Sequence, residues 1–373
     1  MNICFVNSNF NLGGVQKVII DLANYLSKDE LNNISLISLS EKDPFYTLEK
    51  DIQYLKYKND TVTLIKNKIK KELSIKIKKK FSIIEYYKNE IAFIKKHIEA
   101  KNIDTIVLSQ GALSSITPVL KSSHPNLKVI VWQHSEATVY FKSYNRLFLE
   151  EYIRGIQSAD CIVCLTNKDY EVFHQYNENC KQIYNPVNLE NIHVTNLNNL
   201  NICFAGRIMV ESKGLDIIIK SMKYIDNNVH LYIAGNSNKK ELRKLNKLIA
   251  HQNLTNRIKL FGALKNDEMA KFYSKADIYI SASQWEGFGL TVVEAMKCGL
   301  PVIAFDNSGP KEILSDGKYG IVLEERTPKN LANSINNLLN NLEELNNYQK
   351  LSMVRAEDFS IEKIGKEWIK ILN

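Results

Sequence analysis

The chain has few of the residues that build specialised architectures. Seven prolines and 15 glycines in 373 residues exclude a collagen-like or low-complexity chain. Six cysteines are too few for a disulfide scaffold of this length. Cys161 and Cys164 have a zinc or redox spacing, but no second pair accompanies them and they sit in the apolar run DCIVCL. Buried, reduced cysteines are therefore expected. No apolar run approaches the roughly 18 residues that span a membrane. The opening MNICFVNSNF has no basic segment and no small-residue cleavage site, so it reads as a first strand rather than a signal peptide. No Asp lies two residues from another Asp, and Walker A, His-Glu-x-x-His and Gly-x-Ser-x-Gly sequences are all missing. Any phosphate is expected to be met by Arg, Lys and helix ends, with no obligatory metal and no cofactor.

What is present describes an ordinary globular protein, 45% hydrophobic and 24% charged, long enough for two domains. The net charge of +8 is local. Residues 66–101 hold twelve Lys and four Glu, and the remainder is balanced. That distribution excludes a uniformly basic nucleic-acid binder. Within residues 64–84, Ile65, Ile69, Leu73, Ile77, Phe81 and Ile84 form an apolar stripe. Lys66, Lys68, Lys70, Lys71, Lys76, Lys78, Lys79 and Lys80 flank it. This is the pattern of an amphipathic helix on an anionic membrane surface. A core-packed helix with a solvated face remains the alternative. In residues 86–101, Tyr87, Ile91, Ile94 and Ile98 suit packing on a sheet.

Strand-like segments at 2–7, 34–39, 104–109, 127–133, 160–166 and 181–184 alternate with amphipathic helical ones. One example of the latter is VQKVIIDLANYLS, with Val15, Val18, Ile19, Leu22 and Leu26 at helical spacing. The pattern pauses at Asn185-Pro186-Val187-Asn188 and restarts at LNICFAG (200–206), followed by HLYIAG, KLFG, DIYISAS, PVIAF and GIVL. Residues 327–373 carry no strand signal and read as two or three helices. Apolar strands separated by helices imply parallel sheets covered on both faces. The expected fold class is α/β, two Rossmann-like doubly wound domains facing a central cleft.

Four constellations carry chemistry. In Ser283-Gln-Trp-Glu286-Gly-Phe-Gly289-Leu290-Thr291, followed by Glu294, two glycines permit a tight turn before a helix whose N-terminus suits a diphosphate. Glu286 and Glu294 would there accept hydrogen bonds from neighbouring hydroxyls. Arg207 and Lys213, in the loop Gly206–Gly214 after a strand, offer a fork and a point charge to phosphate oxygens. Gly13-Gly14 follows the first strand without forming a G-x-G-x-x-G fingerprint. His134, in Trp132-Gln-His134-Ser135, ends another strand, a place none of the other six histidines shares.

As a set these residues resemble the retaining glycosyltransferase family 4, with its two-Rossmann GT-B architecture, and the resemblance covers essentially the whole chain. Gly13-Gly14 is similar to its glycine loop, and Arg207 with Lys213 to its basic phosphate pair. Glu286 and Glu294 resemble its Glu-x7-Glu motif, and residues 308–313 its next strand-to-helix loop. The resemblance implies an acceptor-binding domain at 1–186, a nucleotide-sugar-binding domain at 187–356, and a helix at 357–373 crossing back to the first. It assigns Arg207 and Lys213 to the donor diphosphate, assisted by backbone at Gly289, Leu290 and Thr291, and counts Gly13 and Gly14 of the glycine loop among the donor-binding residues. It assigns Glu294 to the ribose, and Glu286 and His134 to the transferred sugar. Gln16 stands where the family often has an acidic residue, and Asn-Pro-Val-Asn replaces Asn-Gly-Val-Asp.

The activity implied is transfer of a hexose or N-acetylhexosamine from a nucleotide diphosphate sugar, UDP-linked by the family's habit, to a lipid-linked glycan. The expected setting is bacterial surface polysaccharide synthesis at the cytoplasmic membrane face. An epimerase or hydrolase of the same plan, or a non-catalytic partner subunit, are the alternative readings.

Overall fold

The computed structural model describes residues 1–58, 81–189 and 191–373. The chain divides into two units, Met1–Pro186 with Ile361–Asn373, and Val187–Ser360.

The first unit holds a seven-stranded sheet, every pairing parallel. Its strands are β1 (Asn2–Asn7), β2 (Asn33–Ser38), β3 (Gln53–Lys56), β4 (Thr105–Ser109), β5 (Lys128–Trp132), β6 (Cys161–Cys164) and β7 (Cys180–Gln182). Their order is β3-β2-β1-β4-β5-β6-β7. Central strands such as Ile3-Cys4-Phe5-Val6 are buried throughout, as a sheet with helices on both faces requires. The edge strand β3 escapes the sequence reading: four residues, QYLK, are partly exposed and paired on one side only. Helix α1 (Gly14–Leu26) buries Val18, Ile19, Leu22 and Leu26. Helix α2 (Lys88–Lys101) buries Ile91, Ile94 and Ile98.

The Lys-rich stripe at 64–80 lies outside the described residues. Its last members are described: Phe81 donates its amide to the Leu147 carbonyl at 3.1 Å, and Ile84 belongs to a one-turn helix capped by Ser82.

The second unit repeats the plan with six parallel strands in the order β10-β9-β8-β11-β12-β13. These are β8 (Asn201–Ala205), β9 (His230–Ala234), β10 (Ile258–Gly262), β11 (Ile278–Ser281), β12 (Val302–Phe305) and β13 (Ile321–Leu323). Helix α3 (Leu215–Ser221) follows β8, and α4 (Leu290–Lys297) follows β11. The strand order reverses at β1/β4 in one sheet and β8/β11 in the other. Crevices form at such switch points beyond the carboxyl ends of the strands.

The last helix, α5 (Ile361–Leu372), begins after a short 3-10 turn at Glu357–Phe359 and an extended Ser360. It belongs to the first unit. Its Trp368 lies fully buried, 4.4 Å from the Trp132 ring between centroids, and Lys128 Nζ donates to the Leu372 carbonyl at 3.2 Å. All six cysteines are free and buried. Cys164 and Cys180 hold their sulfurs 3.9 Å apart, a hydrogen-bonding contact rather than a bond. Burial pushes the Cys4 and Cys161 thiols up to about 12, so they are inert at neutral pH.

Candidate functional site

Two loops meet at the β8/β11 switch of the second unit. The first leaves β8 at Gly206 and carries Arg207 and Lys213. The second leaves β11 at Ala282 and carries Glu286 up to the N-terminus of α4. The Gln284 amide donates to the Ser212 carbonyl at 2.9 Å, tying one loop to the other. Gly214 makes the approach possible. It has φ 65°, and a Cβ there would stand 1.9 Å from the Ala282 carbonyl oxygen.

The loops bring Lys213 and Glu286 together. Lys213 Nζ lies 2.6 Å from Glu286 Oε2, with each side chain 25% exposed, and the Ser283 hydroxyl donates to the same oxygen at 3.0 Å. Arg207 is exposed and has no side-chain hydrogen bond or ion pair among the described residues. Glu294, about one turn into α4, is half-buried and accepts from the Tyr273 hydroxyl at 3.0 Å. Burial, reinforced by Glu294, raises that phenol well above its usual range, so it remains a donor. Gly289, at φ 104°, is the N-cap of α4. The amides of Leu290 and Thr291 occupy its first turn, where an α-helix has no intrahelical acceptor for them. The Thr291 hydroxyl sits 2.7 Å from Tyr279 Oη. Lys213, Glu286 and the α4 N-terminus thus meet at the β8/β11 switch, with Arg207 on the first loop and Glu294 one turn into the helix, an arrangement able to hold an anion and a hydroxylated group side by side.

Two residues that hold this geometry, Arg326 and Asn307, carry no signal in the sequence, and a third, Gly309, lies in the 308–313 loop already singled out there. Arg326 donates to the carbonyls of Ala282 at 2.7 Å and Ser283 at 2.8 Å, and Asn307 donates to Ser283 at 2.5 Å. The Gly309 amide donates to the Glu286 carbonyl at 3.2 Å. Arg326 comes from beyond β13, more than forty positions downstream of the loop it clamps, so no local spacing announces it.

Gly13, Gly14 and His134 belong to the first unit. Gly13 and Gly14 form the turn from β1 into α1. His134 follows β5, and its backbone amide donates to Tyr140 Oη at 3.0 Å. Its ring lies 4.5 Å from Trp132 between centroids, and neither ring nitrogen has a partner among the described residues. Burial pushes the imidazole down from 6.5 to about 3, so it is neutral at physiological pH. The unfolded chain takes up this proton below about pH 6.5, the folded one only near 3. The stability from this group is therefore complete above 6.5 and falls by about 1.4 kcal/mol per pH unit below it. His134→Phe is expected to flatten urea-unfolding stability against pH between 6.5 and 4. A slope equal to that of the wild type would contradict this.

The family model described as glycosyl transferases group 1 matches residues 188–352, which include every second-unit site residue named above. An uncharacterized glycosyltransferase of Methanocaldococcus jannaschii is 32% identical over 71% of this chain and 73% of its own. One from Haemophilus influenzae is 28% identical over 99% of this chain and 98% of its own. Among solved structures, Anabaena HepE in complex with UDP-glucose superposes with a TM-score of 0.77 at 16% identity, covering 100% of this chain and 99% of that one. The chain therefore belongs to the group 1 glycosyltransferases, of the family 4 type, built on the GT-B fold.

Proposed function

We propose that the protein is a retaining, metal-independent hexosyltransferase. It moves a hexose or N-acetylhexosamine from a UDP-sugar to a lipid-linked glycan in bacterial surface polysaccharide synthesis. The reading is carried above all by the meeting of Lys213, Glu286 and the α4 N-terminus, with Arg207 on the adjoining loop.

Negative charge grows on the departing diphosphate in the transition state while the sugar becomes oxocarbenium-like. Lys213, held by Glu286, and the Leu290 and Thr291 amides are fixed before reaction, so they stabilise that charge more than they stabilise the ground state, and Arg207 adds a second cation from the adjoining loop. Glu294 takes the ribose hydroxyls and Glu286 those of the transferred sugar. His134, neutral, can donate from one nitrogen and accept at the other. No side chain stands out as a covalent nucleophile. By the resemblance to family 4, the acceptor hydroxyl attacks the face the diphosphate leaves: the anomeric C–O bond to phosphate breaks, that to the acceptor forms, and a phosphate oxygen takes the proton. Configuration is retained.

The donor assignment is supported by the UDP-glucose bound to HepE. Metal independence is supported by the cations present and the missing Asp-x-Asp. The lipid-linked acceptor and a peripheral place on the cytosolic membrane face are supported by the Lys-rich stripe of 64–84. No helix among the described residues is long and apolar enough to cross a membrane.

A thermal-shift panel of UDP-, GDP- and ADP-sugars tests the donor, with the largest rise expected for a UDP-sugar. Transfer should persist in excess EDTA, and abolition by the chelator would overturn metal independence. Changing Lys78, Lys79 and Lys80 together to Glu should release the protein from anionic liposomes. Unchanged liposome binding would defeat the membrane assignment.

A further inference from the structure

Strand β11 leaves its ladder after Ser281, where the pairing with Ala304 of β12 ends. The next two residues, Ala282 and Ser283, are buried, so their carbonyls must find donors other than a neighbouring strand. One guanidinium supplies both. Arg326 Nη2 donates to the Ala282 carbonyl at 2.7 Å, and Nη1 donates to that of Ser283 at 2.8 Å. Arg326 stands between β13 and the helix Pro328–Leu339, whose first turn is capped by Thr327. Its guanidinium carbon lies 4.8 Å from the centre of the Phe305 ring at the end of β12, which sets the plane of the fork as well as its reach. Among the described residues its hydrogen bonds go to no carboxylate.

Each of the two carbonyls adjoins one half of the Lys213–Glu286 pair. Gly214, which directly follows Lys213, packs on the Ala282 carbonyl, where a Cβ would stand 1.9 Å from the oxygen. Ser283 donates its hydroxyl to Glu286 Oε2 at 3.0 Å, the oxygen that also takes Lys213 Nζ at 2.6 Å. Asn307 Nδ2 grips the Ser283 carbonyl a second time at 2.5 Å. Any two donors would satisfy two buried carbonyls. A rigid planar fork on adjacent carbonyls also fixes the direction in which the chain leaves β11.

We propose that Arg326 is a positioning residue for sugar transfer: its fork, rather than its charge, sets Lys213 and Glu286 at the spacing the donor needs. The proposal rests on the glycosyl-transfer reading and adds to it a residue that acts through both loops. A misplacement of about 1 Å in such groups can cost about 10²-fold in rate. Lysine at this position keeps the charge and loses the fork, because one ammonium cannot hold two carbonyls in a fixed plane. Glutamine loses the charge as well.

The test applies two measurements to Arg326→Lys and Arg326→Gln in the full chain. Without ligand, hydrogen exchange should quicken over residues 206–214 and 282–290 in both variants and keep the wild-type rate in β8, β9 and β12. With UDP, calorimetry on a double-mutant cycle reads whether Arg326 acts through Lys213. Arg326→Lys should weaken UDP about five-fold in the wild-type background and change it little in the Lys213→Ala background, a coupling typical of residues in one network. A clamp serving stability alone would cost the same in both. Should either variant fail to fold, Asn307→Ala releases only the second grip on Ser283 and should quicken exchange over 282–290. Equal losses of UDP affinity in the two backgrounds, unaltered exchange in both segments, or exchange quickened across the whole second unit would overturn the proposal. So would a wild-type-like Arg326→Lys beside a defective Arg326→Gln. If the wild type binds no UDP while both segments respond as expected, the donor assignment fails and the positioning of the pair by Arg326 stands.

Discussion

Lys213→Ala is expected to lower kcat/KM for the sugar donor by about 10²–10³, or about 2.7–4 kcal/mol, as removal of one preorganised charge-stabilising donor does elsewhere. The ammonium is held at the β8/β11 switch by Glu286 at 2.6 Å, so its position is set before the donor arrives. Removal leaves Glu286 with the Ser283 hydroxyl as its hydrogen-bond donor. The side chains are a quarter exposed, so folding should survive the change. Arg207→Ala should lose activity on the same scale with even less effect on stability, because Arg207 is exposed and unpaired among the described residues. Steady-state kinetics with melting curves on both variants check this. Near-normal turnover in the two would remove the diphosphate assignment.

Under the proposed assignment, Glu286→Gln is expected to separate sugar recognition from nucleotide recognition. A carboxylate accepting from sugar hydroxyls contributes about 1.5–3 kcal/mol per bond, so the amide should lower kcat/KM about 10- to 100-fold. UDP without a sugar should behave differently. Neutralising Glu286 frees Lys213 from its partner, so UDP should bind as tightly as before or more tightly. Calorimetry with UDP and kinetics with UDP-sugar, run on the same variant, read the two effects. A parallel loss of UDP affinity would mean that Glu286 serves only to position Lys213.

Much of the fold is visible in residue patterns, for reasons the structure makes plain. Runs such as Ile3–Val6 and Ile278–Ser281 are buried on both faces of a parallel sheet, so they stay apolar without alternation. The edge strand Gln53–Lys56 faces no such demand and reads as loop. The site divides in the same way. Lys213, Glu286 and Glu294 stand in loops and a helix start that glycines mark. The Lys213–Glu286 contact spans 73 positions and emerges only once β8 and β11 pair. The clamp by Arg326 depends on backbone positions that no local pattern encodes.

Titration calorimetry of UDP into the wild type and the Lys213→Ala variant tests the donor site most directly. Saturable UDP binding by the wild type, weakened at least about ten-fold in the variant with its melting temperature preserved, is the expected result. No binding of any nucleoside diphosphate, or equal affinity in the two proteins, would contradict it.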